Sequence, residues 1–328
     1  MLVHLLKTQQ IELAKSYIQD SEKLDDINVK DAESASPITY ASEQGYYEIV
    51  EMLLAKGASV FDRADMQRQP LHKACSGGHL EIVKLLIKHG ADIFEKDCFD
   101  FDALVTAVQY GHLDVVNYLL SIGASPHYEL QNAAYDKCTP LIIAATTEHR
   151  NPAVFQQLIN AGADINHKCA LGLSALHVVV EYNDILFVRL LLQNGADPNL
   201  KNKNGSTPLF AATRSHQSDI MELLIQYGAR INEQNILGYT PLITAVIFQR
   251  GPRTLNTVKQ LLLAGADPNI QDSQGNRAID NTYCPIVKKV LERWSATKLM
   301  IVFNELQLDW YVDYDFWAYF GDFSREVV

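Results

Sequence analysis

Ten histidines and five cysteines are the side chains of this chain with the widest chemical repertoire, so metal ligation, proton transfer and nucleophilic attack are the first chemistries to ask of it. A helical zinc site needs ligands at fixed spacing, such as H-E-x-x-H, and a structural one needs paired C-x-x-C units. The sequence contains neither. His72 and His177 follow leucine in PLH and ALH, His79 and His112 sit in GHLEIV and GHLDVV, and His89 lies in KHGAD. His4, His127, His149, His167 and His216 share no ligand spacing. Cys75, Cys98, Cys138, Cys169 and Cys284 are odd in number and unevenly spaced, which suits a reducing compartment and gives no disulfide framework. No G-x-S-x-G, G-x-x-x-x-G-K-S/T or G-x-G-x-x-G occurs either. The expectation is a non-enzyme without cofactor or metal.

Composition narrows the partners. Over 328 residues, 28 basic side chains meet 39 acidic ones, a formal net charge of −11. Sequence-independent grip on nucleic acid comes from Lys and Arg neutralising phosphates, and anionic membrane surfaces select the same residues. Both partners are therefore disfavoured, and a protein partner is expected. No apolar run approaches the roughly 18 residues needed to cross a bilayer. The opening MLVHLLKTQQIELAK has a short apolar stretch interrupted by His4 and no basic leader, so it does not read as a signal peptide. A soluble, cytoplasmic and monomeric protein is expected.

The elements that would position any site are read from a period. Gly-Ala recurs at 57, 90, 123, 162, 195, 228 and 265, with separations of 33, 33, 39, 33, 33 and 37. Thirteen residues after each comes Pro70, Ala103, Ala175, Pro208, Pro241 or Ala278; Pro140 comes 17 after Gly123, and Pro37 opens the series. With segments such as QPLHKACSGGHLEIVKLLIKHGAD and TPLFAA, residues 34–280 resemble the ankyrin repeat, whose period is 33 and whose opening is T-P-L-H-x-A. Ser or Thr before Pro suits a helix N-terminus, and Leu80, Val83, Leu86 and Ile87 share one face of a second helix that Gly90 stops. The resemblance implies an all-α solenoid of stacked helix-turn-helix units with short β-hairpin fingers. Such a short pair cannot bury its apolar face alone, so the stack rules out two independent globular domains.

In the family, the histidine of T-P-L-H bonds neighbouring backbone, which assigns His72 and His177 a structural role. Cys75 stands where the family carries Ala and reads as a small buried thiol, while Cys98 and Cys169, two repeats apart, are too distant to share a metal. Residues 1–33 are expected to form a degenerate capping repeat and 281–328 a closing cap with a tail, because terminal repeats face water. The extra residues near Gly162 fall in the finger SPHYELQNAAYDKCT and at TTEHRNP, and those before Gly265 in FQRGPRT, all places where a stack tolerates length. The long finger, Tyr128 to Tyr135, is either a contact loop or a neutral insertion.

A partner is expected on the surface formed by fingers and first helices, as the resemblance implies. Counting along the lattice places Met66, Arg68, Phe99, Phe101, Leu171, Leu173, Ile236, Leu237 and Tyr239 at fingertips, and Tyr110, Tyr182 and Phe248 at exposed ends of first helices. Apolar and aromatic side chains of this kind dominate interface energetics. The competing reading is that Phe99, Phe101 and Leu173 pack between fingers. Asn166, Asn199, Asn232 and Asn269 match positions that asparaginyl hydroxylases modify in the family, although hydrogen bonding within the hairpin turn is the preferred reading of them.

From Glu305 onward six acids meet one base, and Trp310, Tyr311, Tyr314, Phe316, Trp317, Tyr319, Phe320 and Phe323 crowd together. This tail is too apolar for a disordered segment. It reads as a helix folded over the last repeat, as a motif captured by a second partner, or as a homodimer contact. In the second case the protein is a targeting or effector adaptor. A tail this short could hold little of a catalytic site, which leaves an enzyme as the weakest reading.

Overall fold

A computed structural model of the chain describes residues 1–20, 27–32, 34–248 and 252–294. The tail from Glu305, with all its aromatic residues, lies outside the described residues.

Seven consecutive helix pairs follow the period. They are α3 and α4 (Pro37–Gln44, Tyr47–Ala55), α5 and α6 (Pro70–Gly77, Leu80–Lys88), α7 and α8 (Ala103–Gln109, Leu113–Ser121), α9 and α10 (Pro140–Thr146, Pro152–Asn160), α11 and α12 (Ala175–Glu181, Ile185–Gln193), α13 and α14 (Pro208–Arg214, Ser218–Gln226), and α15 and α16 (Pro241–Ile247, Pro252–Leu263). A shorter pair, α1 (Leu2–Lys7) and α2 (Ile11–Asp20), packs on α3 and α4, and α17 (Pro285–Glu292) packs on α16. First helices touch first helices along one row and second helices form another. Between the rows runs one buried cluster that extends from Leu2 to Leu291.

Local chemistry explains each boundary. Ser36, Asp102 and Thr240 accept the N–H of the third residue onward at 3.4, 2.8 and 3.2 Å, whereas Thr139 and Thr207 make no such bond. Gly90 ends α6 with φ of 92°, its N–H reaching the Ile87 carbonyl at 3.0 Å while the Ala91 N–H reaches Leu86 at 3.0 Å. This double bond to the last turn is the glycine-terminated motif that satisfies orphan carbonyls. After Ala278 no first helix forms, and residues 277–281 make turns before α17.

The fingers differ from expectation. No strand is present among the described residues. Apart from the long finger, which closes through Leu130 N–H to Cys138 at 3.0 Å and Lys137 N–H to Leu130 at 2.8 Å, the fingertips close on one i to i+4 backbone bond, such as Asp97 N–H to Phe101 at 3.0 Å, and most are linked to the next tip by one bond, such as Ile236 N–H to Asn204 at 3.1 Å. One or two bonds do not build a ladder. The long finger is anchored, because Lys96 bonds the Tyr128 hydroxyl, that hydroxyl bonds Asp100, and Asn132 donates to the Cys98 carbonyl at 3.1 Å.

His72 and His177 are buried junctions between repeats. Nδ1 of each accepts the N–H at its own helix start, Gln69 and Ser174, both at 3.2 Å. Nε2 donates forward, to Phe101 at 3.1 Å and to Ser206 at 3.2 Å. Burial lowers the pKa of both imidazoles, His177 to about 4 from its ordinary 6.5. A folded-state value below the unfolded one means that the unfolded chain takes up the extra proton. Stability from this neutral imidazole is therefore complete above about pH 6.5 and is lost as pH falls toward 4, by up to about 3 kcal/mol for His177. Denaturant midpoints from pH 7 to 4 should fall more steeply in the wild type than in His177→Gln; equal slopes would contradict this assignment.

Candidate partner-binding groove

The fingers and the ends of the first helices of three successive repeats enclose a groove of about 350 Å³. Its fingertip wall carries Leu173, then Asn202, Asn204 and Ser206, then Asn235, Ile236, Leu237 and Tyr239. Its helix wall carries His177 and Glu181 from α11, Phe210, Ala211 and Arg214 from α13, and Thr244 and Phe248 from α15. Five of the side chains expected at a binding surface thus meet in one place: Leu173, Ile236, Leu237, Tyr239 and Phe248.

Their exposures differ. Ile236 is 68% exposed, Leu237 50% and Phe248 55%, whereas Leu173 and Tyr239 lean partly against the core. The tip turn is fixed by Asn235, whose Oδ1 accepts the N–H groups of Leu237 and Tyr239, both at 3.0 Å. Beside the apolar group, Arg214 Nη2 bonds both carboxylate oxygens of Glu181 at 2.7 and 2.8 Å, tying α13 to α11. The groove therefore offers apolar contact at its rim and a charged pair on its helix wall.

The remaining expected residues lie elsewhere. Phe101, expected at an exposed fingertip, is 1% exposed, because its ring turns inward to lie 6.1 Å from Phe99 and 5.1 Å from Tyr135. Arg68 is also buried, its Nε bonded to Asp97 at 3.1 Å, and the Asp97 bond together with a Tyr110 hydrogen bond raises its pKa despite the opposing effect of burial. Tyr110 stacks on His149 at 5.7 Å. Phe99 is half-buried against the core. Met66 and Leu171 are exposed, as is Tyr182, whose ring lies beneath the Arg150 guanidinium at 4.7 Å. None of these residues lines the groove.

Lattice counting missed part of the helix wall. His177 and Phe210 sit two positions after Ala175 and Pro208, while Ala211 and Thr244 sit three after Pro208 and Pro241. The same period would have found them, had the count included the first turn of the helix as well as its end. Three of the finger-stem asparagines, Asn166, Asn199 and Asn232, bond the next repeat. Asn199 Oδ1 accepts the Arg230 N–H at 2.7 Å and its amide donates to Gly228 at 3.0 Å, and Asn232 bridges Asp267 and Gly265 in the same way. In the two earliest repeats with this period, Phe61 and Phe94 take that position and stand exposed.

Stacked helix pairs joined by tight fingers define a solenoid repeat protein whose repeats are protein–protein interaction modules. Family models of ankyrin repeats match residues 63–129, 104–202, 141–235 and 176–272, and a second ankyrin-repeat model matches residues 38–87. The chain belongs to the ankyrin-repeat family. It is similar to the crystal structure of the human ASB11 ankyrin repeat domain, at 28% identity and a TM-score of 0.60, over 71% of this chain and 100% of that one. No curated protein matches it. No helix among the described residues is long and apolar enough to cross a membrane.

Burial separates structural from surface aromatic and aliphatic residues in a way that equilibrium denaturation reads directly. Phe101→Ala should cost about 3–5 kcal/mol, as truncation of a buried phenylalanine does. Leu171→Ala, at 64% exposed, should stay within about 0.5 kcal/mol of wild type. Comparable losses at both positions would contradict the inward placement of Phe101.

Proposed function

We propose that the protein is a non-enzymatic scaffold that holds a protein partner in the groove between Leu173 and Phe248. The observation that carries this reading is the convergence of exposed Ile236, Leu237 and Phe248 in one groove beside the Glu181–Arg214 pair. Grouped apolar side chains rimmed by polar ones are the usual make-up of an interface centre. Leu186 on α12 is equally apolar and 70% exposed, yet lies outside the groove, so it distinguishes the groove from general stickiness. The net charge of −11 supports a protein rather than a nucleic acid as partner.

The fitting partner is a segment presenting two or three apolar side chains to the rim, with polar groups that meet Asn204 and the charged pair. Changing Ile236, Leu237 and Phe248 together to Asp should leave thermal stability near that of wild type and remove co-purifying proteins that the Leu186→Asp protein retains. Each single change should weaken a purified partner tenfold or more, about 1.4 kcal/mol. Retention of every partner by the triple variant would overturn the groove as the binding site.

A further inference from the structure

Four fingertips share one device. The first residue of the turn turns its side-chain oxygen back to accept two backbone N–H groups, from the second and fourth residues onward. Asp97 accepts from Phe99 and Phe101 at 2.8 and 3.0 Å, Asn202 from Asn204 and Ser206 at 2.9 and 3.0 Å, and Asn235 and Asp272 do likewise. Cys169 occupies the same place in its own finger. Its N–H bonds Leu173 at 3.0 Å and Gly172 N–H bonds its carbonyl at 2.7 Å, as Asn202 does with Ser206 and Gly205. The shared turn directs its sulfur toward the N–H groups of Leu171 and Leu173, the second and fourth residues onward. A pair of converging amides suits an anion, and the sulfur is the one acceptor in this set that must lose a proton to become one.

A second cysteine completes the arrangement. The preceding finger ends at Cys138, and two bonds hold the fingers side by side: Ala170 N–H to Asp136 at 2.9 Å, and His167 Nε2 to Lys137 at 2.8 Å. Between these two bonds the Cys138 and Cys169 side chains interact, both free and both buried. That interaction, followed by the two amides and His167, lowers the pKa of Cys169 against the opposing effect of burial, while the interaction and burial raise that of Cys138. The two converging amides favour Cys169 over Cys138 as the thiolate.

We propose that Cys169 and Cys138 form a peroxide-reactive thiol pair, Cys169 being the nucleophile and Cys138 the resolving thiol of a reversible disulfide between adjacent fingers. The Cys169 thiolate attacks one oxygen of hydrogen peroxide; an S–O bond forms, the O–O bond breaks, and hydroxide leaves to become water on protonation. The Cys138 sulfur then attacks the sulfenic sulfur as its proton passes to the departing hydroxyl. The S–S bond forms, the S–O bond breaks, and a second water is released, so two thiols lose two electrons and one peroxide becomes two waters. Any low-molecular-weight thiol in excess reverses the step. The chemistry is independent of the partner groove.

The full chain, reduced and then treated with hydrogen peroxide, tests this by peptide mapping without reductant. Expected is a linked peptide pair containing Cys138 and Cys169, a mass loss of two hydrogen atoms, and recovery of both with dithiothreitol. Cys138→Ser keeps a donor to Cys169 but cannot resolve, so dimedone should trap a sulfenic acid at Cys169 at least tenfold more than at exposed Cys98. Absence of the linked peptides under excess peroxide, or dimedone labelling confined to Cys98, would overturn the proposal.

Discussion

Helices of two turns leave most of their carbonyls without an intrahelical partner, and in this stack the next repeat supplies the missing donors. His79 Nε2 reaches back to Glu43 at 3.0 Å and His112 Nε2 to Ser76 at 2.8 Å. Further along, Asn151 donates to Gly111 at 2.9 Å and Gln217 to Val180 at 2.9 Å. In these four repeats the residue at the start of the second helix thus reaches the end of the first helix in the repeat before it. Space is as constrained as polarity here, since a Cβ on Gly78 would lie 2.5 Å from the His112 ring. A repeat taken alone would expose both its apolar flank and its unpaired carbonyls, so the unit of stability is the contact between neighbours.

The same dependence runs along the fingers. Asn166, Asn199 and Asn232 each accept an N–H from the next repeat, at 2.9, 2.7 and 2.9 Å. Nε2 of His72 and of His177 ties a first helix to the following finger. Polar side chains that look available for chemistry are consumed in this way by the backbone, which is why histidine number gave no indication of a catalytic site. Ion pairs between neighbouring first helices, Lys73 with Glu43 at 3.2 Å and Arg214 with Glu181 at 2.7 Å, add register more than stability.

What this framework leaves uncommitted is the outer rim of the fingers. The backbone at each tip is already satisfied by its own turn and by one bond to the next tip, so side chains such as Ile236 and Leu237 can project into solvent without exposing unpaired amides. The device that secures the tip also creates a site of different chemistry when its oxygen is replaced by sulfur. Cys169 was read in the sequence only against Cys98, two repeats away. Its real neighbour, Cys138, is 31 residues earlier, a separation close to one repeat, and adjacent fingers place residues so separated beside each other.

The sequence by itself determined the period, the helix boundaries, the glycine stops and the family, because each depends on residues close in the chain: a cap beside a proline, apolar positions at helical spacing, a left-handed glycine. It also located the fingertips and the ends of the first helices. Which of those side chains face solvent was decided only by tertiary structure. Phe101 and Ile236 both lie in fingertips, yet one ring finds Phe99 and Tyr135 to pack on and the other side chain has solvent before it. Short β-hairpins were likewise expected of the fingers and no strand is seen among the described residues, since the arms exchange only one or two bonds. Direction of a side chain, and the partner it meets, depend on the neighbouring repeat, and that neighbour is set by stacking in space.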